Sequence, residues 1–165
     1  MATANRLIDV LSEQLTVLKE LQQTLQDEQK AIVNLDTTLM ETLNTQKELL
    51  IDRQRVITGM LHTVMTETAS QFGLPISVTL SDIIEKMPAA MKAQVEPLQK
   101  AAKQAGSAVS VLANQNRGML ERFLEVVNDS LAYILRILNT STTYGVRGTY
   151  LANSQSGAVM INREA

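Results

Sequence analysis

Three stretches of the chain place apolar residues at alternating steps of three and four. This is the 3.5-residue repeat of helices that pack along their length with a slight left-handed supercoil. The first stretch covers about residues 4–33, with Leu7, Leu11, Leu18, Leu21, Leu25 and Ile32 on its seam and Gln14 and Glu28 interrupting it. Polar residues in such a seam set register or sit at its edge. Asn34-Leu35-Asp36 reads as a break, after which either a Thr38/Glu41 capping box or an Asp36 cap starts the next helix. That helix extends to about Gln71. Its face is Leu39, Leu43, Leu50, Ile57, Leu61 and Val64, widened by Met40, Leu49, Val56, Met60 and Met65. The polar run Asp52-Arg53-Gln54-Arg55 is expected to face solvent or loosen the packing. A short link between two long helices predicts an antiparallel hairpin.

Phe72-Gly73-Leu74-Pro75 stops the second helix, with Gly73 as the residue just past its end. Residues 76–80 read as an extended connector into a short helix over 81–86, capped by Ser81 or Thr79. Residues 89–96 read as a helical turn of their own. Pro97 then starts or kinks the long helix that follows, and starting is favoured because proline is tolerated at a first helical position. The third seam runs through Leu98, Ala102, Ala105, Val109, Leu112, Asn116, Met119, Phe123, Val126, Ser130, Tyr133 and Ile137. Only Asn116 and Ser130 break it, and a helix over 98–139 would be roughly 60 Å long. The predicted fold is all-α: an elongated, antiparallel, coiled-coil-like three-helix bundle with one short extra helix over 1–139, then a flexible C-terminal tail over 140–165.

The long helix changes character along its length. Residues 101–113 are rich in Ala, Gly and Ser, which lets neighbouring helices approach closely. From Leu120 onward, Leu124, Val127, Leu131, Ile134, Leu135 and Leu138 add a second apolar stripe beside the first. Two neighbouring helices do not need a face that wide. The surplus must be covered by the chain's own termini, by a second copy or by a partner.

Composition narrows the function. Of 165 residues, 45% are hydrophobic, only 3% are aromatic and none is Trp, which suits aliphatic helix-on-helix cores. A net charge of −2 argues against a general nucleic-acid or anionic-membrane binder. The absence of cysteine removes disulfides, thiolate metal sites and cysteine nucleophiles. No secretory signal pattern is visible in MATANRLIDVLSEQ, and no window is apolar enough to span a membrane, so a cytoplasmic location is expected.

Catalytic signals are sparse. His62 lies among polar neighbours on the second helix, and a lone exposed helical histidine is what four-helix phosphotransfer domains use. Those domains usually place Lys and Gly after the histidine, where this chain has Thr63-Val64-Met65-Thr66. The carboxylates are scattered without metal-ligand spacing. Gly145-Val146-Arg147-Gly148 lacks the lysine and preceding strand of a phosphate loop. Neither enzyme activity, cofactor nor metal is expected. The eight methionines fall mostly on seams as flexible core filler, or else build a groove that accepts varied helices.

Several stretches taken together resemble the FlgN family of flagellar type III export chaperones. A Glu near the end of a leucine-spaced first helix is matched by Glu28, and a Lys followed by paired aliphatics by Lys47 and Leu49-Leu50. A Leu-x-x-x-Asn-x-x-x-Leu core in the long helix is matched by Leu112, Asn116 and Leu120. The tail motif Tyr-Gly-x-x-Gly is matched by Tyr144, Gly145 and Gly148. This chain's tail is longer than the family's. The resemblance implies a cytoplasmic chaperone that keeps flagellar hook–filament junction proteins from assembling early, holding them without nucleotide, and delivers them to the export gate. On that reading Leu120, Leu124, Leu131 and Leu138 hold the client's amphipathic terminal helix, and Tyr144, Gly145 and Gly148 serve docking at the gate. A homodimer is a further expectation. The rival reading is a coiled-coil scaffold or oligomerisation module with no export role.

Overall fold

The computed structural model describes residues 2–75 and 77–141, with side chains over 5–75 and 77–138. Among the described residues all regular structure is helical: α1 (Ala2–Asn34), α2 (Thr37–Gln71), α3 (Leu80–Lys86) and α4 (Ala89–Ser141). The chain divides into two compact units, Met1–Leu120 and Glu121–Ala165.

In the first unit, α1 and α2 form the hairpin that the short link implies. Four ion-pair partnerships run in opposite order along the two helices: Arg6 with Glu67, Glu13 and then Glu20 with Arg53, and Glu28 with Lys47. The turn ends α1 with reciprocal bonds, Asp36 N–H donating to the Ala31 carbonyl at 2.9 Å and Leu35 N–H to Ile32 at 3.2 Å. This closure needs a left-handed residue, and Leu35 takes the position at φ 54°. An exposed leucine there stores about 1–2 kcal/mol that glycine would not. Asp36, not Thr38, caps α2, its carboxylate accepting from Leu39 N–H at 3.0 Å. Because α2 already begins at Thr37, Thr38 lies inside the helix and the expected Thr38/Glu41 box does not form.

The α2 seam buries Leu43, Leu50, Ile57 and Val64, while Leu39, beside the turn, is exposed. The polar middle of α2 does more than face water. Arg53 reaches across to Glu13 at 3.3 Å and to Glu20 at 3.5 Å, binding it to α1. At Gly73 (φ 65°) α2 ends in the same closure as α1, with Leu74 N–H donating to the Ala69 carbonyl at 2.9 Å.

Thr79 starts α3 with a full capping box: its hydroxyl accepts from Asp82 N–H, and Asp82 accepts from Thr79 N–H at 2.9 Å. Hydrogen bonds from the Thr79 hydroxyl, then from its backbone, hold the Asp82 carboxyl below the usual carboxylate range. The helix therefore begins at Leu80, two residues earlier than a Ser81 cap would allow. Ile83, Ile84 and Met87 enter the common core with Leu7, Leu11 and Val17 of α1 and Ile57 and Val64 of α2.

α4 corrects an expectation. It begins at Ala89, so Pro97 lies inside the helix and residues 89–96 are not a separate turn. Pro88 provides the start, its carbonyl accepting from Met91 N–H at 2.9 Å and Lys92 N–H at 3.0 Å. Met91, Val95 and Leu98 all pack on the core, with Val95 fully buried. These positions share one helical face, and burying them offsets the backbone bond that Pro97 cannot make. Further along, Ala105 is buried and Val109 packs on the cluster, as the small-residue stretch implies. Gln99 of α4 meets Ser81 at the start of α3 at 3.0 Å. Asn116 meets Leu25 of α1, and Gln29 of α1 meets Met119.

Candidate functional site

Residues 121–138 of α4 carry an apolar face about half the helix circumference wide, placed by the 100° step between successive residues. Phe123, Val126, Ser130, Tyr133 and Ile137 line one side of it, with Leu124, Val127, Leu131, Ile134, Leu135 and Leu138 on the other. Glu121, Arg122, Glu125, Asn128, Asp129 and Arg136 fall on the opposite side. Ser130 is polar only by type: its hydroxyl donates to the Val126 carbonyl at 2.7 Å, so the apolar face continues past it.

Of the four residues expected to hold a client, Leu120 is half-buried. Leu124, Leu131 and Leu138 are 58%, 53% and 57% exposed. Phe123, Val126, Tyr133, Ile134, Leu135 and Ile137 are exposed as well. An amphipathic helix whose apolar half meets solvent is equipped to take a second amphipathic helix, read through anchors three, four and seven apart. The expected export-gate residues Tyr144, Gly145 and Gly148, and the tail over 140–165 from residue 142 on, lie outside the described residues.

A polar cluster inside the first unit is the feature that sequence reasoning left unassembled. Asn116 (2% exposed) donates through Nδ2 to the Leu25 carbonyl at 2.8 Å and to Glu28 Oε2 at 2.9 Å. Glu28 (6% exposed) accepts at its other oxygen from Lys47 Nζ at 2.5 Å. Both partners facing Asn116 Nδ2 are acceptors, so the amide can sit only this way round. Each of these three residues stood separately among the resemblance's motif positions. Counting back from a hairpin turn at Leu35-Asp36 places Glu28 opposite Leu43, one helical turn from Lys47, so the sequence brought the pair close without matching them. The third member, Asn116, required knowing that α4 runs alongside α1 in the same direction.

The cluster fixes which residues face one another among α1, α2 and α4. One interhelical acid takes donors from both other helices, so a slip of one turn would leave a charge buried without a partner. It is built to hold register. His62 is exposed, 3.5 Å from the Thr66 hydroxyl. The shallow groove beside it is lined by Thr58, Leu61, Met65, Thr66, Ser77 and Val78, none of which is an acid or a base. Among the described residues no helix is long and apolar enough to cross a membrane, and no cluster of His, Cys, Asp or Glu is placed to hold a metal ion.

Comparison with known proteins supplies one match. No curated protein and no solved structure matches the chain. A family model described as FlgN protein matches residues 1–152, which takes in every motif position named above, from Glu28 to Gly148. With that match over nearly the whole sequence, the chain belongs to the FlgN family.

Proposed function

We propose that this protein is a cytoplasmic flagellar export chaperone. It holds the terminal amphipathic helices of hook–filament junction proteins, prevents their premature assembly and delivers them to the type III export gate. FlgN is a chaperone family, and the observation that carries the reading to specific residues is the exposed apolar face of α4. A client helix that polymerises through its own apolar stripe needs that stripe covered, and Leu124, Leu131 and Leu138 present a matching one. Burying on the order of 500 Å² of such surface is worth about 12 kcal/mol gross at ~25 cal/mol per Å². Association and ordering costs remove a large part of this, which leaves a reversible complex. That suits a protein that must release its cargo, and holding by burial requires no nucleotide.

In this reading residues 1–139 are the holding domain, a coiled-coil-like three-helix bundle with its α4 face open. Residues 140–165 carry delivery through Tyr144, Gly145 and Gly148. Because Leu131 is half exposed and outside the core cluster, Leu131→Asp keeps the helical content and the unfolding midpoint. Its affinity for a junction-protein terminal helix, measured by calorimetry, falls at least about tenfold. A folded Leu131→Asp variant that binds the peptide normally contradicts the holding site. Tyr144→Ala leaves peptide affinity intact but lowers secretion of junction proteins from cells; unchanged secretion removes the delivery role.

A further inference from the structure

Nine large apolar side chains between Phe123 and Leu138 are exposed, and the same chain carries something suited to cover them. Residues 142–165 contain one run of four apolar residues, Ala158-Val159-Met160-Ile161, set among Ser, Gly, Asn and Gln. This run lies beyond the residues that the family match covers. Four apolar residues cannot bury one another in so polar a segment.

The connecting length fits. About sixteen residues separate the end of α4 from Ala158, rich in Gly, Ser and Thr. A Gly/Ser-rich linker of that length has in general a root-mean-square reach of roughly 22 Å. Along α4 the distance from Leu138 back to Phe123 is also roughly 22 Å. A tether of that reach would present the run to the face at an effective concentration in the millimolar range, enough to populate a contact that would be negligible between separate molecules.

We propose that residues 158–161 fold back onto the apolar face of α4 around Leu131 and Ile134, as an intramolecular occupant. On the reading of that face as the client site, a client helix must displace this segment to bind. The segment then masks the free chaperone and releases the face on loading.

The absence of cysteine in the full chain allows a direct test by disulfide trapping. Met160→Cys is combined with Leu131→Cys, with Ile134→Cys, or with Asp129→Cys on the opposite side, and oxidised gently at dilute protein after circular dichroism confirms folding. The expected result is single-chain disulfides at Leu131 and Ile134 forming about tenfold faster than at Asp129. Adding Val159→Asp and Ile161→Asp abolishes the difference. Equal rates on both sides of α4 overturn the proposal, and so do disulfides that form chiefly between two chains, which identify a second copy as the occupant. A junction-protein peptide that slows trapping supports displacement. Face-selective trapping that the peptide does not alter leaves the fold-back standing and overturns the client reading instead.

Discussion

Glu28, Lys47 and Asn116 show how three unremarkable residues acquire a role when their helices meet. A glutamate near the end of a leucine seam reads as an edge residue until Lys47 and Asn116 close on its two oxygens at 2.5 and 2.9 Å. Removing Lys47 leaves the buried Glu28 carboxylate without its counter-charge, whereas removing all three leaves no buried charge. Lys47→Met is therefore expected to lower stability by about 3 kcal/mol in urea titrations. The combined Glu28→Leu, Lys47→Met, Asn116→Leu variant is expected to recover most of that loss or exceed the parent. A triple variant less stable than Lys47→Met would show that the cluster stabilises as well as aligns. The polar breaks differ in kind: Ser130 satisfies itself on its own helix, whereas Asn116 draws on α1. Sequence periodicity marks both as interruptions but does not separate them, because the difference lies in what stands opposite.

Among the elements, α1 and α2 were the most legible. Their periods are strong and their ends carry local chemistry, so the breaks at Asn34-Leu35-Asp36 and at Gly73 fall where the sequence places them. The start of α4 was not legible, because a local rule about proline met a tertiary packing demand. Met91 and Val95 hold residues 89–96 in the same helix as Leu98, and the helix runs through Pro97. Since Pro97 and Ala93 are both exposed, Pro97→Ala restores a backbone bond without disturbing the core. It is expected to raise stability by about 2 kcal/mol, after allowance for the freer unfolded chain. A thermal midpoint that stays level or falls would mean that the proline is accommodated without cost. The α3 cap follows pH in a defined direction. Thr79 lowers the Asp82 pKa, so the contribution of the cap is present above the ordinary carboxylate pKa and fades as pH falls through the lowered one.

At the scale of the whole molecule, the sequence divides its labour along α4. Before Asn116, Ala105 is buried and Val109 packs on the core with α1 and α2, and the broad apolar face beyond Leu120 is exposed. That width was readable from periodicity, since a helix with more apolar surface than its neighbours need must be serving something else. The occupant was not readable, because apolar surface carries little information about its partner. The family match supports the class, a flagellar chaperone, and the client helix on this face is the proposal made above. The account is tested most directly by hydrogen–deuterium exchange on the full chain with and without a junction-protein terminal helix. It predicts that added protection concentrates in residues 121–138 of α4, while the amides of α1 and α2 around Glu28 and Lys47 are unchanged. Protection confined to α1 and α2, with residues 121–138 exchanging as before, would contradict it.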